Sequence, residues 1–162
     1  MNKDSKRRGF TPPSRPTFSE KREIPAAQLL GELSRFCEEY LKAAVVLRIE
    51  GEPRRIATVS SEWLAYAVRL MVEKAHGTRA IYTTVKVGEH LVIDTDFKDI
   101  PLSLSDITDI AAAVRCAGLH FELRGTRVIL RAALALSERL PIYARDNELF
   151  YTALYFAFFG NT

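Results

Sequence analysis

The sequence predicts a two-layer α/β sandwich, in which helices cover one face of a mixed, mostly antiparallel sheet. Three observations predict it. Segments of helical period and segments of strand period alternate in the order α-β-β-α-β-β-α-β-β. Two of the strand pairs are joined by glycine-led pairs of residues, Gly88-Glu89 and Gly125-Thr126. The 162 residues, 48% hydrophobic and 27% charged, suit one domain with a real core rather than two domains or a disordered chain.

Residues 1–24 hold seven Lys and Arg against three Asp and Glu, together with Pro12, Pro13 and Pro16 and no apolar period, which predicts a flexible basic tail. Pro13 to Pro16 matches a PxxP ligand by letter, and a solvated linker is the stronger reading. The whole chain carries +3, so the remaining 138 residues sum to −1 and offer no general case for nucleic-acid binding.

Order is expected to begin at Pro25, a good first helical residue. Ala26, Leu29, Leu30, Leu33, Phe36, Cys37, Tyr40 and Leu41 then follow the i, i+3, i+4 rule of a helix face. AVVLRIE (44–50) and RRIATV (54–59) read as strands joined by a turn at Gly51-Glu52-Pro53. Ser60 caps a second helix with Leu64, Ala67, Val68, Met71, Val72 and Ala75 inward, ended by Gly77. AIYTTVKV (80–87) and HLVIDTD (90–96) form a hairpin through the Gly88-Glu89 turn. Ser103 and Asp106 form a capping box for a third helix with Ile107, Ile110, Ala111 and Val114 on one face and Gly118 as its stop. LHFELR (119–124) and RVILRAAL (127–134) form the second hairpin. The domain so delimited runs over residues 25–136.

Residues 137–162 form an aromatic-rich helical extension: seven of the sixteen aromatic residues fall in 143–159. They cover more than one face of a candidate helix over 146–160, so the helix needs cover on several sides. Two readings stand: docking on its own domain, or a partner or homodimer surface formed by Phe150, Tyr151, Tyr155, Phe158 and Phe159.

The order of elements and the local phrasing resemble the ATPase domain of bacterial histidine kinases and their relatives, the GHKL or Bergerat-fold group, from about Ile24 to Leu134. IPAAQLLGELSRFCEEYLKAAVVLRIEGEP looks like that family's opening helix and first strand. RRIATVSSEWLAYAVRLMVEKAHG looks like the strand and helix of its N-box, LVIDTDFKDIP like its first glycine box, and AAAVRCAGLHFELRGTRVILRAAL like its closing helix and hairpin.

The residues that the family uses are largely replaced. The acid often assigned as general base falls on Glu73, the Mg²⁺-binding Asn on Lys74, and the Asn one turn earlier on Leu70. An ammonium has three donors and no acceptor, so it cannot ligate a cation. Placed about 4 Å from Mg²⁺ it repels by roughly 4 kcal/mol per unit-charge pair in a partly screened site. The adenine-reading Asp falls near Asp94 and Asp96, with Thr95 at the literal position if Ile100-Pro101 are kept in register. The two glycines of that box become Phe97 and Asp99. The long glycine-bearing lid is reduced to about eight residues between Phe97 and the helix near Ser105, and no glycine lies between Gly88 and Gly118. The resemblance therefore implies the scaffold with its lid deleted and its nucleotide site degenerate.

Three function classes follow. The leading expectation is a non-catalytic, cytoplasmic interaction module in bacterial signalling, binding another protein or itself, with no cofactor. The alternative is a working ATP-binding domain, a kinase or anti-sigma-type protein, in which Glu73, Lys74, Asp94 and Asp96 hold Mg-ATP and Glu73 is catalytic. A third class, an enzyme with a small-molecule pocket on the same scaffold, needs a concave site around Glu73 and the Asp94–Asp99 turn. Cys37 and Cys116 fall on apolar helix faces and read as buried reduced thiols. His76, His90 and His120 lack zinc spacing, and Asp94, Asp96 and Asp99 lack EF-hand spacing. The longest apolar run, Leu149 to Phe159, is too short to span a bilayer, and no secretory signal is read at the N-terminus.

Overall fold

The computed structural model of the chain describes residues 15–17, 19–52, 54–74, 79–136 and 148–160. Its elements are β1 (Arg22–Pro25), α1 (Ala26–Phe36), continued by a π-helical turn (Cys37–Leu41), β2 (Val45–Gly51), β3 (Ile56–Val59), α2 (Ser61–Glu73), β4 (Ile81–Val87), β5 (His90–Asp96), α3 (Leu104–Ala117), β6 (His120–Arg124), β7 (Arg127–Ala133) and α4 (Leu149–Phe159).

Five strands form one sheet in the order β2-β4-β5-β7-β6, parallel between β2 and β4 and antiparallel elsewhere. The period of two along each strand sets its faces. Ile81, Val85, Leu91, Ile93, Phe97, Val128 and Leu130 point to the helices and are buried. Tyr82, Asp94, Asp96, Arg127 and Glu122 belong to the opposite face. The helical layer reads α1-α4-α2-α3, because α4 packs against both α1 and α2, and α2 against α3. The expected two-layer sandwich is therefore present.

Local signals decide most boundaries. Ser60 Oγ accepts the Trp63 N–H at the start of α2. Ser103 and Asp106 form both halves of the capping box of α3. Gly118 ends α3 at φ 96°, a left-handed conformation that costs glycine nothing.

Several expectations are corrected. The first strand starts at Arg22, inside the segment read as a tail, because Arg22–Pro25 pairs antiparallel with Ile56–Val59 as a separate two-stranded sheet. Pro25 is the cap residue before α1, at φ −54° and ψ 130°, rather than its first helical residue. β3 thus leaves β2 for β1, and β2 finds its partner in β4 across the α2 crossover. Val87 stands opposite Leu91, so the first hairpin turns through three residues and Gly88 lacks the positive φ of the expected two-residue turn. The second hairpin does use two residues, with Arg124 opposite Arg127 and Gly125 at φ 62°. Cys37 is buried as expected, but Cys116 is exposed; both are free thiols. Gly77, His76, Ala75, Pro53, residues 1–14 and residues 137–147 lie outside the described residues.

The aromatic helix α4 docks on its own domain. Phe150 and Phe158, expected on an interaction surface, are instead buried in the chain's core at 1% and 0% exposure. Phe158 packs on Phe36, with ring centroids 5.2 Å apart. The N-terminus of α4 is held by a carboxylate from α1: Glu32 Oε1 accepts the N–H groups of Phe150 and Tyr151 at 2.9 and 3.0 Å. Burial is the largest influence on Glu32 and pushes its pKa up, against the helix N–H groups and Gln28, which lower it. Beside it, Arg35 pairs with Glu148 at 2.7 Å and lies over the Tyr151 ring. Among the described residues no helix is long and apolar enough to cross a membrane.

Candidate functional site

The place where the resemblance puts a nucleotide is the C-terminal end of α2, the N-terminal end of α3 and the turn after β5. Adjacent helical residues point about 100° apart, so Glu73 and Lys74 leave α2 in different directions. Glu73 Oε1 takes the Arg69 guanidinium at 2.8 Å, one turn back on the same helix. Arg69 is 6% exposed and lies over the Phe158 ring, so this pair is built into the α2–α4 contact. Lys74 turns the other way, and its Nζ stands 2.6 Å from Asp106 Oδ1. Asp106 Oδ2 accepts the Ser103 N–H at 3.0 Å, so one carboxylate both caps α3 and ties it to the end of α2. The hydrogen bond from Lys74, and then that from Ser103, hold the Asp106 carboxyl below its usual range.

The turn after β5 is fixed from within. Phe97 is 1% exposed and points into the core. Its N–H donates to the Thr126 carbonyl at 3.0 Å, and its own carbonyl accepts the Ile100 N–H at 2.8 Å. Asp96 Oδ1 accepts the Lys98 N–H and the Thr126 hydroxyl, at 2.9 and 3.0 Å. Asp94 accepts two guanidinium bonds from Arg127.

Asp94 and Asp96 therefore sit on the sheet face away from the helices, whereas Glu73 and Lys74 belong to the helical layer. The four residues expected to share a ligand are not brought together. The side chain that faces α2 at this level is Thr95, whose hydroxyl lies 3.2 Å from that of Thr83. Around this pair is an apolar cavity of about 30 Å³ lined by Leu33, Val68, Met71, Ile93 and Phe150. A second, open groove of about 240 Å³ lies between the Phe97–Leu102 turn, Ile107 and Leu123. Among the described residues no three His, Cys, Asp or Glu side chains converge as a metal site.

Of the expected aromatic surface, Tyr155 remains exposed and Tyr151 and Phe159 are half-buried. Tyr155 and Phe159 meet Tyr40 of the π-helical turn edge to face, at centroid distances of 6.2 and 5.1 Å, and Phe156 adds a further exposed ring beside Tyr155. Sequence reasoning missed the partner side chains Arg69 and Arg127 and the buried Glu32, and it read Asp106 only as a cap. Arg69 and Glu73 are spaced i, i+4, the spacing of a helical ion pair, so that contact had a local signal. The others join residues far apart in the chain.

No family model and no curated protein matches this chain. Solved structures similar to it include histidine kinase segments. They include the cytoplasmic segment of histidine kinase QseC, with TM-score 0.44 and 11% identity, covering 75% of this chain and 82% of that one. The catalytic domain of histidine kinase ThkA in a nucleotide-free form has TM-score 0.43 and 11% identity, over 71% and 96%. The histidine kinase domain of the E. coli osmosensor EnvZ has TM-score 0.43 and 11% identity, over 80% and 96%.

Proposed function

We propose that this chain is a non-catalytic regulatory module of bacterial signalling, acting in the cytoplasm by binding another protein, on a histidine-kinase-type scaffold whose nucleotide site has been rebuilt as packing and ion pairs. The observation that carries the reading is the Lys74–Asp106 pair at 2.6 Å. At the position where the family resemblance puts a metal-binding amide stands a cation, and its counter-charge comes from the next core helix rather than from a ligand. Three further features agree. The adenine-reading position carries Thr95, enclosed at 1% exposure; the first glycine position carries the buried ring of Phe97; and the path from Phe97 to Leu104 contains no glycine to approach a phosphate.

The alternative, in which Glu73, Lys74, Asp94 and Asp96 hold Mg-ATP, requires side chains from both faces of the sheet to meet at one ligand, and Asp94 is already engaged by Arg127. The surface that fits a protein partner is the exposed aromatic group Tyr40, Tyr155 and Phe156 with the half-buried Phe159. Aromatic rings of this kind are enriched at interface centres. Incubation of the full chain with radiolabelled Mg-ATP tests the reading. No phosphate release above the protein-free blank is expected. Release that disappears in Glu73→Ala overturns it.

A further inference from the structure

Strand β2 is an outer edge of the five-stranded sheet, and among the described residues it pairs only with β4. The Ala44 carbonyl accepts the Ile81 N–H at 2.8 Å. In a parallel ladder the N–H and C=O of one residue point to the same side, and successive residues alternate. Val46, Arg48 and Glu50 therefore bond β4, while Val45, Leu47 and Ile49 offer their backbone groups outward. The sequence VVLRIEG contains neither Pro nor Lys, two devices that blunt an edge. Two of its apolar side chains are open, Val46 at 48% and Ile49 at 39% exposure.

We infer that β2 pairs antiparallel with β2 of a second copy of this chain, centred on Ile49 across a two-fold axis, so that the two sheets of five strands become one. Charge selects both the occupant and the register. Arg48 and Glu50 lie on the outer face of the sheet, bonded to each other at 2.9 Å, with Arg48 exposed and Glu50 half-buried beside its ladder neighbour Lys86. An antiparallel pairing centred on Arg48 sets Arg48 against itself, one centred on Glu50 sets Glu50 against itself, and one centred on Leu47 sets Arg48 against Val46 and Glu50 against Ala44, without a counter-charge. Centring on Ile49 sets Arg48 against Glu50 of the second copy, twice by symmetry. The same register makes Ile49 a hydrogen-bonded pair with its own copy, using the outward N–H and C=O that β4 leaves free, and brings the two exposed Ile49 side chains together. The surface is self-complementary, as a two-fold interface requires. It is distinct from the Lys74–Asp106 region, so nucleotide binding and self-pairing stand or fall separately.

Sedimentation equilibrium of the full chain, from micromolar to hundreds of micromolar, tests the inference. A monomer–dimer equilibrium is expected. Arg48→Glu and Glu50→Arg are each expected to weaken it by about tenfold or more, and the double swap Arg48→Glu with Glu50→Arg to restore it. Ile49→Pro removes an outward N–H without touching the β4 ladder, and is expected to give a monomer that still melts cooperatively by circular dichroism. A chain that stays monomeric throughout overturns the inference. So does a dimer indifferent to either charge reversal, a double swap that fails to restore pairing, or a dimer lost only with Phe156→Ser.

Discussion

Lys74 Nζ lies 2.6 Å from Asp106 Oδ1, joining the C-cap of α2 to the third residue of α3. The two residues have different weights. Removing the amine in Lys74→Met loses a partly exposed ion pair, worth up to about 1 kcal/mol. Asp106→Ala loses the same pair and half of a capping box, for about 1–2 kcal/mol in total. Urea unfolding of the two variants checks the order, with Asp106→Ala the less stable.

Asp106 also fixes a sign on the acid side. Its folded pKa is lowered, so the stability it contributes is complete above its unfolded value of about 3.9 and is lost as pH falls through the folded value. Asp106→Asn, which does not ionise, is expected to flatten that part of the stability–pH profile, read from urea midpoints between neutral and acid pH.

Glu32 runs the opposite way. Its folded pKa is raised, so its contribution is complete below its unfolded value of about 4.3 and is lost as pH rises through the folded value. Glu32→Gln keeps an acceptor for the Phe150 and Tyr151 N–H groups and cannot ionise, so it is expected to match or exceed the native chain above neutral pH. Glu32→Ala leaves the buried Phe150 N–H and the part-buried Tyr151 N–H without their acceptor and costs about 1–3 kcal/mol. Thermal melts across a pH series separate the three proteins.

The docking of α4 predicts a contrast along one helix. Phe158→Ala and Phe150→Ala empty core positions and cost about 3–5 kcal/mol each. Phe156→Ser, on the exposed side, changes stability by less than about 0.5 kcal/mol. Denaturant midpoints measure both.

The two thiols differ in reach and in chemistry. Cys116 is exposed, whereas Cys37 is buried and its pKa is pushed up to about 12 by burial. A thiol-reactive chromophore is expected to label Cys116 quickly in the native chain and Cys37 only on unfolding, and Cys116→Ser to abolish the fast phase.

Most of the fold was legible because its signals are local. Ser60, the Ser103/Asp106 box and Gly118 mark helix ends within one turn, and the period of two along residues 90–96 places Asp94 and Asp96 opposite Thr95. What the sequence hid was long-range pairing. Arg22–Ile24 look like tail because three residues of strand carry no periodic signal until β3 lies beside them. The all-apolar surface of α4 states that cover is needed but not which chain supplies it, and Glu32, 118 residues before Phe150, settles that. At the candidate site the residue types along α2 and the turn after β5 were legible in the sequence. The closure of Lys74 onto Asp106 was not, since helix-capping patterns do not reveal a partner on another helix.

The most direct measurement is a thermal-shift titration of the full chain with Mg-ATP to millimolar concentration. A ligand at 100 times its dissociation constant stabilises a fold by about 2.7 kcal/mol, a shift of several degrees for a chain of this size. The account predicts a melting temperature unchanged by nucleotide. A saturating upward shift that Glu73→Ala or Lys74→Met removes would contradict it.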